Sequence, residues 1–174
     1  GWSASRPSSY VTSAELMSWI APINGNVVLI LDSCFSGAFV DDCRSQLQAE
    51  GNIAVLTAQQ GYKSASYYDS SNKANVMEFL TYSFCKGIGF DLHANAASTL
   101  AADANRDNKV TVSEAFSYAR SETSAQVEEK KNLSGFRVPG LSKPPTASQL
   151  RNWGGQTPVT FIPAGMENVV IFAR

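Results

Sequence analysis

Cys34 is the residue of this chain best placed to do chemistry. It follows Val27-Val28-Leu29-Ile30-Leu31, five consecutive aliphatic residues of which three are β-branched, and then Asp32 and Ser33. Such a run reads as a strand buried on both faces, as in a parallel sheet. In open α/β sheets the ligand sits outside the carboxyl ends of the strands, which is where this thiol is presented. A buried structural cysteine is the commoner fate of a free thiol. However, an apolar site would leave Asp32, Ser33 and Ser36 unsatisfied, so the reactive reading is preferred. A thiol of pKa about 8.5 is mostly protonated at neutral pH and needs a base or a positive field before it attacks anything. Asp32 lies two residues before Cys34 and shares its side of the strand, because strand side chains alternate. A carboxylate at a strand end also commonly caps a turn or orients a neighbour.

Two known thiol motifs do not fit. A phosphatase loop needs Arg six residues after its Cys, where this chain has Val40, and a Gly-x-Cys-x-Gly elbow meets Asp32 and Ser36 at its glycine positions. The single histidine, His93, follows Cys34 in the chain and sits in Asp91-Leu92-His93-Ala94-Asn95. That setting reads as a loop entering a helix, with His93 a surface or capping residue. A separate group of oxygen donors spans Asp103 to Glu114. Asp103, Asn105, Asp107, the backbone carbonyl of Lys109 and Glu114 occupy positions 1, 3, 5, 7 and 12 of an EF-hand calcium loop. Asn108 stands where that loop usually has glycine, and asparagine tolerates a positive φ better than most residues.

The elements that must hold these groups follow from periodicity and punctuation. Thr12 or Ser13 caps a helix through Ile20, and Pro22 and Asn24-Gly25 end it before the Cys34 strand. Phe39–Glu50 is a loop or short helix, and Ile53–Ala58 a second buried strand. The polar, aromatic stretch Gln59–Lys73 is too long for a simple turn, which makes it a candidate binding loop. Val76, Phe79, Leu80 and Phe84 fall at helical spacing within Asn75–Lys86. Ala94–Ala102 reads as a small helix, and Ser113 as the cap of a longer one reaching Lys131. Asn132–Gly155, with three of the seven prolines, reads as a surface loop. Val159–Ile162 and Val169–Phe172 are closing strands, the last expected to join the main sheet.

Leu31-Asp32-Ser33-Cys34-Phe35-Ser36-Gly37-Ala38-Phe39 resembles the nucleophile motif of caspase-like cysteine peptidases, and among them the bacterial metacaspase-like, clostripain-like and legumain-like members. Val55–Ala58, Glu78–Tyr82, Asp103–Tyr118 and Gln156-Thr157-Pro158 resemble the C-terminal half of such enzymes, in the same order. The resemblance implies an α/β fold with a mostly parallel sheet flanked by helices. It implies Cys34 as nucleophile of an endopeptidase and Asp32 as the wall of a first specificity pocket, paired with a substrate Arg or Lys. It also implies a catalytic His on an earlier strand, about 50 residues upstream in caspases. No His precedes Cys34 here. The expectation is therefore a His-bearing partner chain cut from the same precursor. The alternative is a non-catalytic caspase-like scaffold or calcium-binding module.

Length and composition agree with one domain spanning 1–174, the Cys-bearing part of such a fold. Lys+Arg 14 against Asp+Glu 15 gives a charge of −1, which supplies no pull toward nucleic acid or membrane. No apolar run approaches the roughly 20 residues of a membrane span. The polar start at Gly1, which is no signal peptide and no initiator Met, reads as a processed or engineered end. Cys43 and Cys85 would pair or stay free according to compartment. Abundant Ser, Thr and Asn with sparse Lys suit an exported protein, and the resemblance to bacterial members implies an extracellular or cell-envelope setting in a bacterium. No cofactor is needed for the thiol chemistry, and Ca2+ is the one ion expected.

Overall fold

The computed structural model describes residues 11–47, 51–69 and 76–174. In chain order the elements are α1 Ser13–Ile20, β1 Val27–Leu31, α2 Gly37–Asp42, β2 Ile53–Thr57, β3 Tyr67–Asp69, β4 Val76–Glu78 and α3 Phe79–Gly87. After them come β5 Phe90–Asp91, β6 Ala96–Ala97, β7 Lys109–Thr111, α4 Val112–Lys130, β8 Phe136–Arg137, α5 Ala147–Trp153, β9 Val159–Phe161 and β10 Val170–Ala173. The chain is mixed α/β. The expected flexible end Gly1–Ser9 and part of the Gln59–Lys73 loop lie outside the described residues.

β2 is the centre of the main sheet. Its residues are all buried, and it pairs in parallel with β1 (Val28 opposite Ala54, Ile30 opposite Leu56) and antiparallel with β9 (Thr57 opposite Val159). The sheet is thus mixed rather than mostly parallel. Alternation sends the two faces of β1 and β2 into different cores. Val28, Ile30, Ala54 and Leu56 pack with Leu80 of α3 and Val112, Phe116 and Ala119 of α4. Val27, Leu29, Leu31, Ile53 and Val55 pack with Met17 of α1 and with Phe39, Val40 and Cys43. Helices therefore cover both faces. β1 was expected to be fully buried, but every one of its residues is half-buried. The reason is topological, since β1 has a sheet neighbour on one side only among the described residues.

Several other expectations are corrected. Val170–Ala173 does not join the main sheet; it pairs antiparallel with β7, next to the Asp103–Glu114 loop. Ala94–Ala102 forms no helix. The Asp91 carboxylate accepts from the N–H groups of His93 and Ala94, and Asn95 is left-handed at φ 48°, so the segment turns into the β5–β6 hairpin. α3 begins at Phe79, and the residues before it form β4. Thr111, not Ser113, caps α4 in a reciprocal capping box with Glu114. The Asn132–Gly155 stretch carries β8 and α5, and it buries Phe136 and Val138. Among the described residues no helix is long and apolar enough to cross a membrane.

Candidate active site

Beyond Leu31 the backbone reverses sharply through Asp32–Ser36 into α2. Phe35, the residue after the thiol, is left-handed at φ 62°, a genuine outlier for an aromatic side chain. Three contacts hold it there. The Phe35 N–H donates to Lys63 O at 2.8 Å, the Ala38 N–H donates to Phe35 O at 3.1 Å, and the Ala58 N–H donates to Ser36 Oγ at 3.1 Å. Gly37 then crosses so close to the next loop that a Cβ would lie 2.3 Å from both Gln59 O and Gly61 N. Only glycine fits that crossing. Strain held in place by surrounding structure is characteristic of functional turns.

Cys34 sits on this turn, half-buried, with Sγ 3.9 Å from Ala65 O. The segment bearing that carbonyl is itself fixed by two buried glutamines. Gln59 Nε2 donates to Ser64 O (3.3 Å) and Gly155 O (2.9 Å), while its Oε1 accepts from the N–H groups of Gln60 and Thr157. Gln156 Oε1 accepts from Ser66 N (2.7 Å) and Ser66 Oγ (2.6 Å), and Trp153 Nε1 donates to Ser64 O. Neither glutamine was singled out as a site residue from sequence. Their advance signals are the place of Gln59 at the start of the candidate binding loop Gln59–Lys73 and that of Gln156 in the Gln156-Thr157-Pro158 motif.

Asp32 is tied to α3. Its Oδ2 accepts from Thr81 N at 2.8 Å and from Thr81 Oγ1 at 2.6 Å. Glu78, just before that helix, carries a carboxyl pushed up to about 7, first by desolvation and then by the Asp32 charge. The residue as a whole is exposed, so the desolvation concerns its carboxyl end. An acid whose pKa is raised by folding destabilises the fold as pH climbs from about 4.5 to about 7, and the loss persists above that window. Glu78→Gln should therefore raise the melting temperature at about pH 8 by roughly 2–4 °C at most, after discounting for solvent screening. At about pH 4 it should change nothing, because both states are then protonated. Thermal melts at the two pH values decide it, and an equal shift at both would refute the assignment.

Among the described residues no other titratable side chain hydrogen-bonds the thiol. His93 is exposed, its ring tilted at 44° against Tyr82 (centroids 4.8 Å apart) with Nε2 3.2 Å from Met77 Sδ. No hydrogen bond joins it to Cys34. Cys43 and Cys85 are free thiols. Burial, with Asp42 adding, pushes the Cys43 thiol up, and burial alone does the same at Cys85. Neither is disposed to act as a nucleophile.

In the Asp103–Glu114 loop the donor residues turn on their own backbone. Asp103 accepts from Asp107 N and Asn108 N, Asn105 from Asp107 N, and Asp107 from Lys109 N. Arg106 and Asn108 are both left-handed at φ 63°. Hydrogen bonds from Thr111 first, and also from Ala104 and Asn105, hold the Glu114 carboxyl below its ordinary range. These features match the turn shape and donor chemistry of a calcium loop. Among the described residues, no three His, Cys, Asp or Glu side chains converge as a metal centre would.

No family model, no curated protein and no solved structure matches this chain.

Proposed function

We propose that this chain is the Cys-bearing portion of a caspase-like cysteine endopeptidase that hydrolyses peptide bonds after Arg or Lys. The observation that carries the reading is the Cys34 turn. A half-buried thiol stands at the end of a strand, next to a left-handed Phe35, with a glycine behind it that no other residue could replace. In the reaction a base takes the thiol proton, Sγ attacks the scissile carbonyl carbon, and backbone N–H groups steady the oxyanion. The leaving amine takes up the proton and departs, and water then hydrolyses the Cys34 thioester, releasing the acid.

The base is a His on an upstream chain of the same precursor, since the His93 ring is engaged with Tyr82 and Met77 and makes no hydrogen bond to Cys34. Among the described residues β1 has a sheet neighbour on one side only, which supports this, because its half-buried aliphatic residues and outer backbone groups offer a neighbouring strand a place to pair. Asp32 supplies the basic preference, as only its Oδ2 is engaged by Thr81. An extracellular or cell-envelope setting in a bacterium belongs to the same proposal. Mass spectrometry of the purified full-length product tests it. A second, His-containing chain that co-purifies is expected. An active enzyme without one would overturn the role of the partner, and an inactive protein without one would favour a non-catalytic scaffold.

Calcium, in this reading, is a structural ion at the Asp103–Glu114 loop, held by Asp103, Asn105, Asp107, the Lys109 carbonyl and Glu114. Titration calorimetry with Ca2+ should show one site that Asp103→Ala or Glu114→Ala removes. No heat, in protein shown to carry no bound metal, would leave the loop as a turn and helix cap.

A further inference from the structure

α3 lacks the cap its own sequence would ordinarily supply. Its N-cap residue is Glu78, whose side chain makes no capping hydrogen bond. The first turn is instead satisfied by Asp32, 49 residues earlier, through the N–H and the hydroxyl of Thr81 at 2.8 and 2.6 Å. Both contacts fall on Oδ2, and such bonds to a charged acceptor are the strong kind. The carboxylate is thereby held in one orientation, and among the described residues its other oxygen accepts no hydrogen bond. Thr81 itself is exposed and contributes nothing to the buried core.

We infer that Thr81 is a positioning residue for substrate recognition, fixing the carboxylate of Asp32, two residues before Cys34, so that it can receive a cationic side chain. The inference rests on the basic-specific peptidase reading. Its consequence is that specificity depends on the first turn of α3 as well as on the residue that touches substrate.

The test uses Thr81→Val and Thr81→Ser in the full-length protein, with two readouts. For peptide cleavage, Thr81→Val should raise KM for Arg substrates about tenfold while kcat moves less than about twofold, and it should spare citrulline analogues. Thr81→Ser should restore the wild-type values. The second readout needs no peptidase activity. Cys34 should react about fivefold faster with a trimethylammonium methanethiosulfonate than with a neutral one of equal length, because of the nearby Asp32 charge. Thr81→Val should lower that ratio toward one and Thr81→Ser should keep it, with modification at Cys34 verified by peptide mapping. An unchanged ratio and KM in Thr81→Val, or equal losses on Arg and citrulline substrates, would overturn the inference. A wild-type protein that cleaves no peptide yet shows the reagent preference and its loss in Thr81→Val would sink the peptidase reading alone.

Discussion

Cys34→Ala should lower peptidase activity by about four orders of magnitude or more, the scale seen when a covalent nucleophile is removed. The fold should survive. Cys34 is only half-buried, and its one polar contact is a long 3.9 Å approach to Ala65 O, so losing the sulfur removes little packing and no strong hydrogen bond. The expected destabilisation is below about 1 kcal/mol, a melting shift of roughly 2–4 °C or less. Cys43→Ala should do the reverse. That thiol is 2 % exposed, packed among Met17, Phe39 and Leu47, so its loss should destabilise the protein while sparing turnover. An active Cys34→Ala enzyme would remove Cys34 from the chemistry outright.

Asp32→Asn carries the second large effect. In the proposed reading a substrate guanidinium pairs with the Asp32 carboxylate, and losing one partner of such a pair costs about 2–5 kcal/mol. That corresponds to roughly 1.5 to 3.5 orders of magnitude in cleavage after Arg. The amide oxygen can still accept from Thr81 N–H and Oγ1, so α3 keeps its cap and the loss is one of charge, not of structure. Alkylation of Cys34 by iodoacetamide should therefore stay within about twofold of wild type, since a small neutral reagent does not use the pocket. Equal turnover of Gln and Arg peptides by the wild-type enzyme would contradict the role given to Asp32.

What could be read in advance divides along the range of the interactions. The cap of α1, read as Thr12 or Ser13, and the buried strand, read as Ile53–Ala58, depend on neighbours in sequence, and both were legible to within a residue. Ala94–Ala102 was not, because alanine's helix preference is weak beside the turn that the Asp91 carboxylate makes and the left-handed Asn95 completes. The pairing of Val170–Ala173 with Lys109–Thr111 and the half-exposure of β1 are decided by strand order, which periodicity does not encode. The site divides the same way. Cys34 stood out because Asp32, Ser33 and Ser36 beside it in sequence would be left unsatisfied in an apolar site. Thr81 and the two clamping glutamines did not, because each acts on a segment remote in the chain.

The central claim is that Cys34 attacks the backbone carbonyl of a basic residue. Incubating the full-length protein with a peptidyl-Arg acyloxymethyl ketone and mapping the adduct by mass spectrometry tests it most directly. The account predicts one adduct, on Cys34, absent in Cys34→Ala and greatly slowed when Gln replaces Arg in the reagent. An adduct on Cys43 or Cys85, equal labelling by the Gln and Arg reagents, or no adduct at all would contradict it.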